Sequence, residues 1–311
     1  MAKFIKKMNG NLITTERSAR LSFLKERAIK ALLFCTASLA VVVVTFILLF
    51  LLRDGYPIFA EVGILPFLFG DTWAPTAADP LYGIFPLIVG TLLVTIGAIV
   101  FAVPLSIGCA IYVSELASPR VKSVLKPAIE LLAGIPSVVY GFFGLIVLTD
   151  FIRVTFAIPT GETWLAASIL LGIMALPTII SVSEDAISAV PREFREGSLA
   201  VGATRWQTIS RVVLPPAVPG IVTGAILCIG RAAGETAPIM FTAVVFSSRF
   251  LPTSEFQPVM ALPYHLFILA TNVPGASTNQ YGTALVLLIL VVGMYAIAII
   301  VRTHFQNKSR G

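Results

Sequence analysis

Two residues place charge where a membrane would offer no water: Arg231 and Glu235 in GRAAGETAP, inside a long apolar run. A charge at membrane depth costs about 3 kcal/mol or more unless it is paired or wetted, so such residues mark function by default. Their spacing of four puts both on one helical face. Arg before Glu is the weaker order for such a pair, and Gly230, Ala232, Ala233 and Gly234 are expected to leave space beside the helix. A planar guanidinium facing a small-walled path suits a tetrahedral oxyanion. Glu235 then either accepts a proton from a protonated oxyanion or balances Arg231 when the path is empty. A structural pair that neutralises itself is the alternative. In LAGIPSVVYGFFGL, Ser137 and Tyr140 offer hydroxyls near such a path, and Pro136 frees the carbonyl of Leu132. Gly134, Ser137, Gly141 and Gly144 recur at near-helical spacing, which also suits close helix packing alone.

A second constellation is mechanical. In EGSLAVGATRWQTISRVVLP, Glu196 is followed by Gly202, Ala203, Thr204 and Arg205, and the stretch closes on Leu214 and Pro215. The spacing predicts two short amphipathic helices around a glycine that takes positive φ, with the proline ending the second helix. Such a knuckle can project from a membrane and dock into a partner; an interfacial helix-turn-helix is the plainer reading. Gly197 weakens the first helix.

The elements that must position these residues are membrane spans. Hydrophobic residues make up 57% of the chain and charged residues 12%, with a mean hydropathy of +0.93, so lipid is the main solvent. Six segments reach the roughly 20 residues a span needs: 31–52, 83–113, 127–149, 163–182, 216–246 and 281–301. They must be helical, because lipid satisfies no backbone group. Pro86, Pro104 and Pro238 predict tilt or kinks in the second and fifth. The expected fold is an all-α membrane protein of six transmembrane helices. It comprises a basic N-terminal arm (1–30), a permease domain (31–302) with a coupling loop (183–215), and a short tail (303–311). Leu21, Phe23, Leu24 and Ala28 give the arm either an amphipathic face on the inner leaflet or nothing ordered.

Eighteen of the 22 Lys and Arg residues fall in the arm, the 2–3 loop, the 4–5 loop and the C-terminal tail. Arg53, Arg153 and Arg249 lie opposite. The positive-inside rule therefore predicts that both termini and the coupling loop are cytoplasmic. The net charge of +6 is a topology signal rather than a nucleic-acid footprint. Trp73 in FLFGDTWAP (67–75) suits an interfacial aromatic belt or a docking surface. Val259–Ala270, interrupted by Pro263, is too short to span and is expected to be interfacial or re-entrant. Cys35, Cys109 and Cys228 fall inside predicted spans as packing residues, and His265 and His304 are too far apart for a metal site. No GxxxxGK[ST] and no Gly-Lys dipeptide occurs, so this chain is not expected to be an enzyme that hydrolyses nucleotide.

Taken together, LAGIPSVVYGFFGL, SEDAISAVPREFREGSLAVGATRWQTISRVVLP and GRAAGETAP resemble the permease subunits of the phosphate-specific (Pst) ABC importer, over residues 64 to 302. FLFGDTWAP and LAGIPSVVYG are more like the PstC-type subunit, while GETAPIMFTA and MALPYH are closer to the PstA type. The resemblance implies a type I ABC importer fold in the cell inner (plasma) membrane. It implies a sister permease (PstA-type), an ATPase dimer (PstB-type) holding ATP and Mg, and an external phosphate-binding protein (PstS-type). It also implies that the family's intramembrane Arg and Glu match Arg231 and Glu235. No cofactor is expected on this chain. Other readings are a permease for molybdate or sulfate, an ATPase-independent secondary transporter, and a membrane scaffold or sensor.

Overall fold

The computed structural model describes residues 2–74, 79, 81–243, 251–273 and 275–308, with side chains described within 25–303. It divides into two units, Met1–Asp54 and Gly55–Gly311. The first is formed by one helix, α1 (Ala2–Gly55). The expected boundary at residue 30 is not an element boundary: no proline precedes Pro57, so the helix continues through it. Leu21, Phe23 and Leu24 of the expected amphipathic face lie outside the described side chains.

The second unit contains α2 (Pro57–Glu61), α3 (Ile64–Phe69), strands β1 (Trp73–Ala74) and β2 (Leu81–Tyr82), α4 (Phe85–Ile111), α5 (Pro119–Ala133), α6 (Ser137–Phe143) and α7 (Thr149–Thr155). It continues with α8 (Trp164–Ser188), α9 (Arg192–Ala200), α10 (Arg205–Thr208), α11 (Leu214–Gly234), α12 (Ala237–Thr242), α13 (Leu262–Asn272) and α14 (Ser277–Lys308). Single π-helical turns at Tyr112–Leu116, Gly144–Leu148 and Ile209–Val213 extend α4, join α6 to α7 and join α10 to α11. Among the described residues, six helices are long and apolar enough to cross a membrane: Lys25–Glu61, Phe85–Leu116, Ser137–Thr155, Trp164–Ser188, Arg205–Gly234 and Ser277–Thr303. All but the two paired residues of each short antiparallel strand conform to an all-α membrane fold.

Three expected boundaries shift for local reasons. The third span begins at Ser137, not Pro127. Gly134 closes α5 and Pro136 disfavours helix at the residue before it, which leaves α5 as a separate amphipathic helix with no buried residue. The fifth span stops at Gly234, because the ring of Pro238 would meet the Gly234 carbonyl and cannot donate to it; Glu235 follows at φ −76°, ψ 132°. Residues 244–246 of that expected span, with Pro75 and Arg249, lie outside the described residues. Finally, Pro215 does not end a helix. The π-helical turn before it, closed by Leu214 N–H to the Ile209 carbonyl, shifts the hydrogen-bond ladder, and the proline enters the first turn of α11 where no N–H is needed.

α4 and α8 form the centre of the second unit. They run parallel in a steady register, since Ser168 Oγ meets the Val94 carbonyl and Ser114 Oγ meets Ser188 Oγ, each 74 residues apart. Small residues permit the approach: a Cβ on Gly97 would lie 2.4 Å from Ser168 Oγ, and one on Gly172 2.6 Å from Phe101. Three buried clusters follow this axis. The first joins α4, α8, α12 and α13 through Val94, Leu171, Ile239 and Leu262. The middle cluster contains Ala102, Ala175, Ile179 and Cys228, and the third Ile187, Val190, Val213 and Ala217. Cys228 thus packs as expected, whereas Cys109 is half-buried and Cys35 is exposed.

The non-spanning segment before α14 is packed within the protein. Val259, Met260, Ala261 and Leu262 are buried, and Thr91 Oγ1 accepts the Leu262 N–H at 2.9 Å. The Val259 N–H is likewise met by the Ala243 carbonyl at 3.0 Å. Trp73 packs edge-on against Tyr82 and His265, with centroids 5.6 and 4.4 Å apart, so it also contributes to packing within the unit.

Candidate functional site: a broken helix and a coupling knuckle

Arg231 lies in the last turn of α11 and Glu235 just beyond its end, so the pair spans a helix break instead of one continuous helical face. Arg231 Nε is 3.5 Å from Glu235 Oε1, with the side chains 33% and 19% exposed. Among the described residues Arg231 makes no hydrogen bond, and this is its one ion pair. Both Nη groups retain their donors, and a fork with free donors can take a bidentate oxyanion.

The walls differ from expectation. Gly230 opens no space, since a Cβ there would fall on the Tyr295 hydroxyl of α14. Ala232 and Ala233 are buried in the core. Gly234 alone of the four is open, with nothing within 4 Å of where a Cβ would stand. The open surface beside the pair is therefore at Gly234, where the helix breaks.

Tyr140 is buried in α6. Its hydroxyl donates to the Leu132 carbonyl at 2.9 Å, which also accepts the Ile135 N–H at 3.3 Å. That proton is engaged, although the oxygen can still accept. Ser137 is half-buried in the first turn of α6 and makes no hydrogen bond or ion pair to Arg231 or Glu235. The small residues of this segment pack as expected at two points: Gly141 lies against Phe241 and Ala237, and Gly144 against Leu170 and Thr242. α6 therefore rests directly on the chain just after Glu235. Gly134 has no such neighbour.

The knuckle folds as two short helices around Gly202 at φ 88°. No atom lies within 4 Å of a Cβ there, so conformation rather than crowding selects glycine. Thr204 caps α10 in a reciprocal box with Gln207: the Gln207 N–H donates to Thr204 Oγ1, and the Thr204 N–H to Gln207 Oε1. Ser198 Oγ meets Thr208 Oγ1 at 2.9 Å, tying α9 to α10. Glu196 and Arg205 are exposed, Ala203 is half-buried, and Leu214 and Pro215 open α11. Phe194, Leu199, Val201 and Trp206 are exposed large apolar residues on this projection, a surface of the kind that docks.

Behind the knuckle is a polar network that sequence reasoning missed. The Arg195 guanidinium makes six hydrogen bonds: to both oxygens of Glu115, the shortest 2.7 Å, and to the carbonyls of Ile187, Val190 and Pro191. The Arg195 and Glu115 side chains are 17% and 12% exposed. Deeper still, Glu184 is buried and accepts from Lys122 at 2.6 Å, Lys126 at 2.7 Å and Ser188 at 3.0 Å. The Glu184 hydrogen bond raises the pKa of Lys126, against the opposing effect of burial. An acid in SEDAIS at the end of an apolar run was the readable signal; its partners about 60 residues earlier were not.

Comparison with known proteins agrees with this architecture. The chain is 42% identical over 255 residues to the probable ABC transporter permease protein YqgH of Bacillus subtilis, covering 80% of each. It is 33% identical over 252 residues to the phosphate transport system permease protein PstC of Mesorhizobium japonicum, covering 75% of this chain and 76% of that one. An inward-facing structure of the MetNI methionine ABC transporter superposes with a TM-score of 0.54 at 22% identity, covering 72% of this chain and 94% of that chain, which supports the fold alone. The family described as the binding-protein-dependent transport system inner membrane component matches residues 102–311. With two thirds of its length inside that match, this multi-pass chain belongs to the family of inner membrane components of binding-protein-dependent transport systems.

Proposed function

We propose that the chain is a permease subunit of an ATP-driven importer that carries inorganic phosphate into the cytoplasm. The loose Arg231–Glu235 pair at the end of α11 carries this reading. A pair built only for neutrality gains from close, multiply bonded geometry, whereas this guanidinium keeps donors free beside the open face of Gly234. Phosphate fits the site as a tetrahedral anion that can take the fork and, as HPO4 2−, donate its remaining proton to Glu235. Fully deprotonated sulfate has no such proton. A relative named for phosphate transport supports the same substrate.

The exposed knuckle, with Gly202 at its turn, is the docking element for a separate ATPase dimer of the PstB type, which binds ATP and Mg. This chain contributes no nucleotide site. A PstA-type sister permease completes the pathway, and a PstS-type protein delivers phosphate from outside. Both termini and the knuckle face the cytoplasm, following the Lys and Arg distribution. Nucleotide-driven closure of the ATPase moves the knuckles, and the spans open Arg231 alternately to the two sides.

Reconstitution tests this. The chain, with sister permease, ATPase and binding protein in proteoliposomes, is expected to accumulate labelled phosphate only with ATP, and to ignore sulfate and molybdate. Equal uptake of either competitor would reassign the substrate; uptake without ATP would reassign the mechanism. A cysteine at Ser210 should resist an impermeant thiol reagent added outside, and labelling there would reverse the orientation.

A further inference from the structure

We propose that Arg195 is a positioning residue that makes α9, the ends of α4 and α8, and α5 a single rigid transmission body, closed throughout the transport cycle. This rests on the ATP-driven reading above, and goes beyond the knuckle itself to what lies between knuckle and charged pair.

The Arg195 fork binds two elements at once. One is Glu115, in the π-helical turn that ends α4; the other is the C-terminal end of α8, through the carbonyls of Ile187 and Val190. Ile187 lies in the last turn of α8 and Val190 just beyond it, so a cation there also meets the negative end of that helix's dipole. Contact then passes sideways from Ser114 to Ser188 at 3.1 Å, from Ser188 to Glu184 at 3.0 Å, and from Glu184 to Lys122 and Lys126 of α5. α5 leads to Leu132, whose carbonyl holds Tyr140. α6 in turn lies on Ala237 at Gly141, two residues past Glu235. An unbroken chain of contacts therefore joins the coupling helix to the broken helix. Glu184, Arg195 and Glu115 are largely buried and multiply bonded, so parting them would strand charges. Such a body is better suited to transmit a displacement than to absorb one. The alternative is a latch that opens on each cycle.

Two variants in the complete reconstituted complex test whether Arg195 and Glu115 transmit the stroke, and a cross-link separates body from latch. Glu115→Gln removes one charge and Arg195→Lys keeps charge but loses the fork; both should assemble and hydrolyse ATP. Phosphate moved per ATP should fall about tenfold, within the range that residues on coupling networks exert. An unchanged ratio would overturn the proposal while leaving ATP-driven import intact; a wild-type complex with no ATP-dependent uptake would instead defeat the functional reading. Should either variant fail to assemble, the double variant Ser114→Cys, Ser188→Cys, made without the native cysteines, gives an independent reading. Its oxidised form cross-links the ends of α4 and α8. Transport unchanged by oxidation is expected of a closed body. Transport lost on oxidation and recovered on reduction would show that these ends part, and would overturn it.

Discussion

Among the described residues, the two Arg–Glu pairs are built in opposite ways. Arg195 and Glu115 meet at 2.7 Å, with every face of the guanidinium engaged. Arg231 and Glu235 meet at 3.5 Å through one nitrogen, at a point where the helix has just ended. Both pairs are partly buried, so burial does not distinguish them. Satisfaction does. A fully bonded pair loses several contacts if it exchanges partners, whereas a loosely bonded one can exchange its single partner for a ligand at little cost. The first pair is a strut and the second is a binding element.

The largest effect is expected at the loose pair. Arg231→Gln should lower phosphate uptake roughly 100-fold, as loss of a desolvated charge-assisted contact implies, with assembly intact. Arg231→Lys keeps the charge without the fork and should retain about a tenth of the activity, a loss of about 1.4 kcal/mol from the contact. Uptake in cells lacking other phosphate transporters measures both. If Arg231→Gln transports normally, the two pairs are alike and both structural.

Next is the knuckle that drives the strut. Gly202→Val has room for its side chain but not for φ 88°, a strain of about 1–3 kcal/mol. It should insert normally yet lose substrate-stimulated ATPase activity. Gly202→Asn, which tolerates the left-handed region, should recover most of it. Normal stimulation in the valine variant would remove the coupling role.

A smaller effect is expected for Glu235→Gln. If Glu235 takes the phosphate proton, uptake falls several-fold and its pH dependence flattens; slowed release with an unaltered pH profile would leave Glu235 as a counter-ion only. The former is the expected outcome.

The smallest concerns His265, buried against Trp73, whose pKa burial lowers to about 4. Its folded pKa lies below its unfolded value, so its contribution to stability is constant above about pH 6.5 and is lost as pH falls from there towards 4. The limit is about 3 kcal/mol. Thermal unfolding in detergent should show a melting temperature that drops over this window, and less so in His265→Phe. Parallel curves would place the titration elsewhere.

Much of this contrast is legible in the sequence at the loose pair and little at the strut. Arg231 and Glu235 stand out because charge in an apolar run is rare, and Pro238 signals a kink nearby. That Gly230 is covered by Tyr295 while Gly234 stays open depends on packing against α14. Gly202 is legible through its spacing because a positive φ is a local requirement. Glu115, Glu184 and Arg195 are not, because their roles come from partners 58 to 80 residues away. The start of the third span is misplaced by hydropathy, which rises at Pro127 before the chain turns at Pro136. The continuation of α10 into α11 escapes sequence reading because a proline reads as a stop unless a π-helical turn precedes it.

Thiol accessibility beside Arg231 decides whether the break is open to substrate, in a complex whose permease lacks Cys35, Cys109 and Cys228. Gly234→Cys would place a thiol on the open side of the break, and Ala233→Cys one in the core. A negatively charged thiosulfonate is expected to label the first and not the second, and saturating phosphate with binding protein should slow the labelling. Equal labelling at the two positions, or labelling at Gly234→Cys that phosphate leaves unchanged, would contradict a binding role for the loose pair.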